Sequence, residues 1–418
     1  MKSSKKGISL IVLVITIIVM IILATAIILS LNSSNIVEKA KEAKTASDMA
    51  NAKNVVILAK GEWELMTSAE RANYDDFADY AESKLQDAGY KVDENGGLNV
   101  SSNGVISTVY IGSDNRKALI PEGFTVSTKA GEQKVSDGLV ISDTKGNEFV
   151  WVPVDDFSKF ARTTTYNGTI TAPSDTYTEP VSTVCSNYDY GPCVCLDTAT
   201  LSITNDLTGE WAEYAAMRAS VEESNGFYIG RYETGTSVSR TYTGSGTTDV
   251  LIQKDKLVYS YVGWGPSMIS VSGDVTYGSK NYGKGAVELS RNMYKGSSSV
   301  VSTLCYGVQW DAALQFMYNT DNTYPTNSTD KGNYTGTLAN TGSSDDYAVN
   351  NIYDMAGNAY EWTMESLNNT SVDCRALRGL EGYPPYPEGS SASDYCVIGF
   401  GVLTFESLIG FRVALYLK

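Results

Sequence analysis

Asn351-Ile-Tyr-Asp-Met-Ala-Gly-Asn-Ala-Tyr-Glu-Trp362 places two carboxylates, Asp354 and Glu361, on either side of a glycine and ends on a tryptophan. Large rings dominate core burial, so Trp362 is expected inside, as are Trp151 and Trp310. The two carboxylates have two readings: caps for local backbone amides, or hard oxygen donors. Downstream stand Arg375-Ala-Leu-Arg-Gly379 and Gly410-Phe-Arg-Val-Ala414. Gly379 and Gly410 read as backbone necessities. Arg412 reads as a group that pairs inside the fold.

Upstream, Glu148-Phe-Val-Trp-Val-Pro153 reads as an opening strand. Gly226-Phe-Tyr-Ile-Gly-Arg-Tyr-Glu233 follows a helix that contains Trp211, Tyr214 and Val221, and Val308-Gln-Trp-Asp-Ala-Ala313 begins another helix. Taken in this order, over roughly residues 120–418, these segments resemble the formylglycine-generating-enzyme (sulfatase-modifying factor) domain. The resemblance implies an α+β variant of the C-type lectin fold with much irregular structure. It also implies a structural Ca²⁺ at Asp354, Gly357, Ala359 and Glu361, the positions where members of that family hold one.

The catalytic branches of that family do not carry over. One binds copper through two cysteines shortly after an Arg-Gly-Gly-Ser-like segment. Here that stretch is Arg378-Gly-Leu-Glu-Gly-Tyr-Pro-Pro-Tyr-Pro-Glu388, with Cys374 before it and Cys396 well after it. The other branch, the ergothioneine-type sulfoxide synthases, uses histidine-ligated iron, and this chain contains no histidine. The missing imidazole also excludes Ser-His-Asp and Cys-His catalysis and zinc sites of the Cys/His kind. The expectation is a non-catalytic protein with no redox cofactor. A non-standard sulfatase-modifying-like enzyme is the alternative.

A third branch is similar in another way. Variable proteins of diversity-generating retroelements use the same fold for display. Arg375 to Gly379 and Ile409 to Ala414 look like framework, and residues 380–408 between them look like the variable region. Family members commonly carry Gly where Leu380 stands. The stretch mixes Tyr, Phe and aliphatic residues with Gly and Ser, a paratope-like composition in which rings give contact area and small residues give adaptability. Leu380, Glu381, Tyr383, Tyr386, Tyr395, Val397, Phe400, Val402 and Phe405 are the expected ligand contacts.

The N-terminus sets the location. Ile8 to Leu31 is an uncharged run of 24 residues, about 36 Å as a helix, enough to span a bilayer. Lys2, Lys5 and Lys6 precede it and no acidic residue comes before Glu38, so residues after the run are expected outside the cell. Lys-Lys-Gly7 followed by Ile8-Ser-Leu-Ile-Val resembles a type IV pilin or pseudopilin N-terminus. That implies a prokaryote, a leader of residues 1–7 cut between Gly7 and Ile8, prepilin-type N-terminal methylation, and an anchoring helix at 8–31. The family usually has Glu at the fifth mature residue, and this chain has Val12. Anchoring and filament assembly are therefore separate expectations, with pilin subunits as partners only in the second.

Ile36, Ala40, Ala43, Ala46, Ala50, Val55, Leu58 and Leu65 keep helical spacing,. Thr67-Ser-Ala-Glu70 is a capping box. Tyr74, Phe77, Ala78, Ala81 and Leu85 fall on one face of a further helix stopped by Gly89. Residues 32–92 thus read as a helical stalk, and 93–119 as a strand-rich connector that includes Val105–Ile111. The chain has 418 residues and a formal net charge of −16, which disfavours nucleic acid as a partner. Six cysteines, at 185, 193, 195, 305, 374 and 396, allow fifteen disulfide pairings or unpaired thiols. Cys193-Val-Cys195 lacks the histidine or second Cys pair that would complete a metal site. The expected function is surface-displayed ligand binding, such as adhesion to a protein or cell surface. A structural minor pilin in a filament or secretion apparatus is the other non-enzymatic reading.

Overall fold

A computed structural model describes residues 36–92, 97–171, 209–266, 270–328, 330–367, 375–379 and 407–418, with short strands at 177–178, 195–197, 202–205 and 395–396. The chain divides into two compact units, Met1–Tyr90 and Lys91–Lys418.

In the first unit, α1 (Ile36–Leu65) is a 30-residue helix. The expected capping box opens α2 (Ser68–Arg71): Glu70 N–H donates to Thr67 Oγ1, and Thr67 N–H donates to a Glu70 carboxylate oxygen. Asp76 caps α3 (Phe77–Asp87) by accepting from Asp79 N–H at 3.0 Å. Gly89, at φ +86°, follows the helix end, where the sequence put the stop. Met49, Ala52, Val56 and Ala59 of α1 are buried, as are Tyr80, Ala81 and Leu85 of α3. Trp63 closes one end of this seam against Tyr74, Phe77 and Tyr80. The helical spacing read from the sequence is present, but its face differs. Ala50, Leu58 and Leu65 are exposed, and the buried stripe lies on the other side of the helix. No helix among the described residues is long and apolar enough to cross a membrane. The run Ile8–Leu31 and the Gly7–Ile8 junction lie outside the described residues.

The second unit mixes helices with several small, mostly antiparallel sheets. It begins with β1 (Leu98–Val100), β2 (Ile106–Ile111) and β3 (Lys117–Pro121), paired in that order as a three-stranded sheet. The strand expected at 105–111 is β2. β3 runs through residue 119, where the sequence reading ended its connector. β4 (Phe124–Val126), β5 (Val140–Asp143) and β6 (Glu148–Pro153) follow. Then come α4 (Glu210–Ser224), β7 (Gly226–Gly230), a hairpin of β8 (Asp274–Tyr277) and β9 (Lys280–Lys284), α5 (Ala286–Met293), β10 (Val300–Leu304) and α6 (Gly307–Tyr318). The chain ends with β11 (Tyr360–Leu367), β12 (Arg375–Arg378), β13 (Tyr395–Cys396), β14 (Ile409–Phe411) and β15 (Val413–Leu417).

The central sheet has the strand order β10-β15-β7-β6-β5-β4, all antiparallel. Its inner strands are covered on both faces: residues 149–152 of β6 and all of β7 and β15 are buried. A strand covered on both sides reads as a continuous apolar run, which is why Phe149-Val-Trp-Val152 was legible. Met217 and Val221 bury one face of α4. Trp151, Trp264, Trp310 and Trp362 are all within the core. A second sheet runs β13-β12-β11-β14, with Tyr177–Thr178 pairing to the far end of β11. β14 and β15 are separated only by Arg412, so the chain steps from one sheet into the other at a single residue.

Candidate functional site

The 380–408 stretch is held at its roots by the second sheet. β11 pairs with β12, and β12 pairs with β13, so that Arg378 stands opposite Tyr395 and Leu377 opposite Cys396. At the other end β14 runs parallel to β11, and Tyr360 N–H donates to the Leu408 carbonyl at 2.7 Å. The chain leaves β12 through Gly379 at φ +90°; a Cβ there would lie 3.0 Å from the Met355 carbonyl oxygen and 3.4 Å from the Trp310 ring. That position requires glycine for both reasons. Its carbonyl accepts from Gly357 N–H at 2.6 Å, so the 354–358 turn braces the exit. Of the expected contacts, Tyr395 lies on β13. Leu380, Glu381, Tyr383, Tyr386, Val397, Phe400, Val402 and Phe405 lie outside the described residues.

Beneath this root the charges are paired among themselves. Arg378 donates to Asp311 Oδ1 at 2.6 Å and to Glu365 Oε2 at 3.4 Å. Arg162 donates to Asp311 Oδ2 at 2.7 Å and to the other oxygen of Glu365. Tyr166 O–H and Thr163 N–H complete the shell of Asp311. Burial works to raise the Asp311 carboxyl, but the guanidiniums of Arg378 and Arg162 hold it below its ordinary value,. Two cations and two carboxylates in alternation leave no net charge to desolvate. Arg375 makes a bidentate pair with Glu210 at 2.9 and 2.8 Å and stacks 3.9 Å from the Trp264 ring centroid. The start of α4 is thereby tied to β12.

The four residues read as calcium positions are all buried, and Gly357 among them is bonded to Gly379. Asp354 Oδ2 accepts from Gly342 N–H at 2.7 Å. Gly357 is at φ +75°, and a Cβ there would lie 2.8 Å from Asn333 N. Both oxygens of Glu361 are taken by Arg412, Nε to Oε2 at 2.9 Å and Nη2 to Oε1 at 2.6 Å. Arg412 donates further to the carbonyls of Gly230 and Tyr353 at 2.9 Å each. This donor set does not fit a calcium ion, because the one carboxylate that would bind side-on is already the counter-ion of a guanidinium. Among the described residues no group of three or more Cys, Asp or Glu is arranged to hold a metal.

Glu233 belongs to the same pocket of charge. Its Oε1 accepts from Asn358 Nδ2, while its buried Oε2 has no hydrogen-bond partner among the described residues. Burial, then the nearby Asp354 and Glu361, push its carboxyl well above the ordinary range. Burial likewise pushes Asp354 up to about 6,. Arg412 acts on all three carboxylates, and with its two donors committed to Glu361 the other two are pushed toward their neutral forms.

Arg412 paired inside the fold is the reading the sequence allowed. Asp311, Glu365, Glu210, Arg162 and Glu233 were not singled out. A signal existed for one of them: Glu365 follows Glu361 and Thr363 at alternate positions of β11, and Arg375 and Arg378 follow on the neighbouring strand. Cys305 is a buried thiol whose Sγ donates to the Tyr306 carbonyl at 3.5 Å. Cys195 and Cys396 are described as backbone only, and the other three cysteines lie outside the described residues. Comparison with protein-family models, with curated proteins and with solved structures gave no match.

Proposed function

We propose that this chain is a surface-displayed ligand-binding protein. A stalk anchored through Ile8–Leu31 would hold a C-type-lectin-like domain outside a prokaryotic cell, and residues 380–408 would make contact. The observation that carries this reading is the construction of the roots. Gly379, Tyr395 and Ile409 are fixed by strand pairing and backbone bonds. The charges beneath them pair with framework residues: Arg378 and Arg162 with Asp311 and Glu365, and Arg412 with Glu361. A framework held by its own ion pairs would tolerate replacement of the residues between its roots. Tyr383, Tyr386, Tyr395, Phe400 and Phe405 supply ring surface, and Leu380, Glu381, Val397 and Val402 supply the rest. The partner is a protein or cell surface, binding involves no covalent chemistry, and retroelement-driven rewriting is the source of variation.

The test is sequencing of this locus from many cells of one population. Substitutions confined to codons 380–408, beside a near-repeat template and a reverse-transcriptase gene, are expected. An invariant segment with no template overturns the diversification reading and leaves a fixed-specificity surface lectin or minor pilin.

A further inference from the structure

A groove of about 390 Å³ lies between α4, α5 and β10, and none of its lining residues belongs to 380–408. Small-molecule sites span roughly 300–1,000 Å³, so it is large enough for one or two small rings. Two carboxylates line it, and both are committed. Glu213 accepts from Arg291 Nε at 2.7 Å, from Thr303 Oγ1 at 2.7 Å and from Tyr306 O–H at 2.8 Å. Glu288 accepts from Gly273 N–H at 2.8 Å and pairs with Lys284 at 3.4 Å. Arg291 and Lys284 balance these two charges. Two further cations border the groove. Lys418 Nζ donates to the Ser297 carbonyl, and the exposed Lys295 makes no ion pair among the described residues. With the α-carboxylate of Lys418 set against its own ammonium, Lys295 is left over. The groove therefore holds a positive charge in excess on a chain whose net charge is −16.

We infer that this groove binds a hydroxylated monocarboxylate of the sugar-acid class, a hexuronic acid unit, with its carboxylate on Lys295. Val271 and Val301 give the groove an aliphatic wall, and Ser272 and the exposed Asn292 bring a hydroxyl and an amide to it. Both side chains donate and accept, as sugar hydroxyls do. Tyr294 also borders the groove, but its ring packs on Phe124 and Phe149 and its hydroxyl donates to Asp143 at 2.7 Å. That ring serves the core and is not offered to an aromatic ligand. One cation in excess suits one carboxylate. A phosphate dianion would bring a second negative charge beside Glu213, Glu288 and the C-terminal end of α5, where the helix carbonyls are themselves partly negative. The inference does not depend on what residues 380–408 bind. Set beside that reading, it gives the domain a constant specificity that rewriting of 380–408 would leave intact.

The test uses the full chain in detergent micelles, titrated with sodium glucuronate, glucose and glucose 6-phosphate and read by saturation-transfer NMR. Glucuronate is expected to bind, and the other two to bind at least about fivefold more weakly, the scale of one partly exposed charge pair. Lys295→Gln is expected to bring glucuronate down to the level of glucose and to leave glucose unchanged. Lys145→Gln, an exposed lysine outside the groove, is expected to change neither. Trigalacturonate set against galacturonate separates the two sources: tighter binding of the trimer assigns the site to polymer-bound uronate, and equal binding to the free acid. No binding of glucuronate, equal binding of glucose by the unsubstituted chain, tighter binding of glucose 6-phosphate, or equal losses in Lys295→Gln and Lys145→Gln would each overturn the inference.

Discussion

Arg412 grips both carboxylate oxygens of Glu361 at the one residue that separates β14 from β15. The same guanidinium reaches the carbonyl of Gly230, at the end of a central-sheet strand, and that of Tyr353. The side chain that marks the crossing between the two sheets therefore also ties them together. Breaking a buried pair from one side leaves an uncompensated charge, which costs about 3–5 kcal/mol. Arg412→Met is expected to lower the unfolding free energy by that amount in urea titration. Adding Glu361→Gln to it is expected to restore part of the loss, because the stranded charge is gone. A single variant that costs under about 1 kcal/mol, the range of an exposed pair, would show that the crossing is held by other contacts.

The Asp354 carboxyl gives the framework a pH dependence with a definite sign. Its folded value of about 6 lies above the roughly 3.9 of an unfolded aspartate. A raised acid favours folding while protonated, so its contribution is full below about pH 4 and is lost as pH rises through 6. Glu233 and Glu361 are raised in the same direction. Asp311 is lowered and acts oppositely, losing stability as pH falls. The comparison that isolates Asp354 is with Asp354→Asn. Relative to the unsubstituted chain, this variant is expected to gain up to about 3 kcal/mol between pH 4 and pH 7. Denaturant titrations at the two pH values measure it, and a difference that does not change with pH defeats the assignment.

The occupancy of Glu361 by Arg412 also bears on calcium. A resident ion at Asp354, Gly357, Ala359 and Glu361 would stabilise the fold by mass action. With Glu361 committed to Arg412, thermal melts in millimolar calcium and in excess chelator are expected to coincide. A clear rise in Tm with calcium that Asp354→Asn abolishes would show instead that Arg412 yields its partner to the ion.

Gly379 ends the described framework strand and leads into the 380–408 stretch, the display segment on the proposed reading. Alanine there meets both the left-handed backbone and the Met355 carbonyl, and strain of this kind costs of order 1–3 kcal/mol. Gly379→Ala is expected to lower Tm, whereas Tyr383→Ser and Tyr386→Ser are expected to weaken ligand binding and leave Tm in place. Calorimetry of the three variants decides it, and a Tm loss from the tyrosine changes equal to that from Gly379→Ala would place those rings in the core instead.

The sequence was informative where one local rule governed the outcome. The capping box at Thr67–Glu70, the stop at Gly89, the doubly buried strand at 149–152 and the tryptophan core each follow from short-range chemistry. It was less informative about charge. Asp311 pairs with Arg162 and Arg378, and Glu210 with Arg375, across separations that no spacing rule spans. A buried carboxylate and a surface one read alike until the fold brings the cation to it. Glu361 shows the same limit in reverse: its chemistry suited a calcium ion, and only the return of the chain at Arg412 shows what its oxygens bind.

The position of β15 has a consequence for how the domain is made. This last strand is interior to the central sheet, with Leu415 opposite both Ser302 and Tyr228. The sheet therefore cannot close until residues 413–417 have arrived, and pairings of such long sequence separation form slowly. Until then the edges of β7 and β10 stay open, the state most exposed to aggregation. On the display reading, residues 380–408 emerge just before the closing strand. Folding would then act as a filter: a rewritten segment that keeps β15 from docking would leave an unfolded chain in place of a faulty receptor.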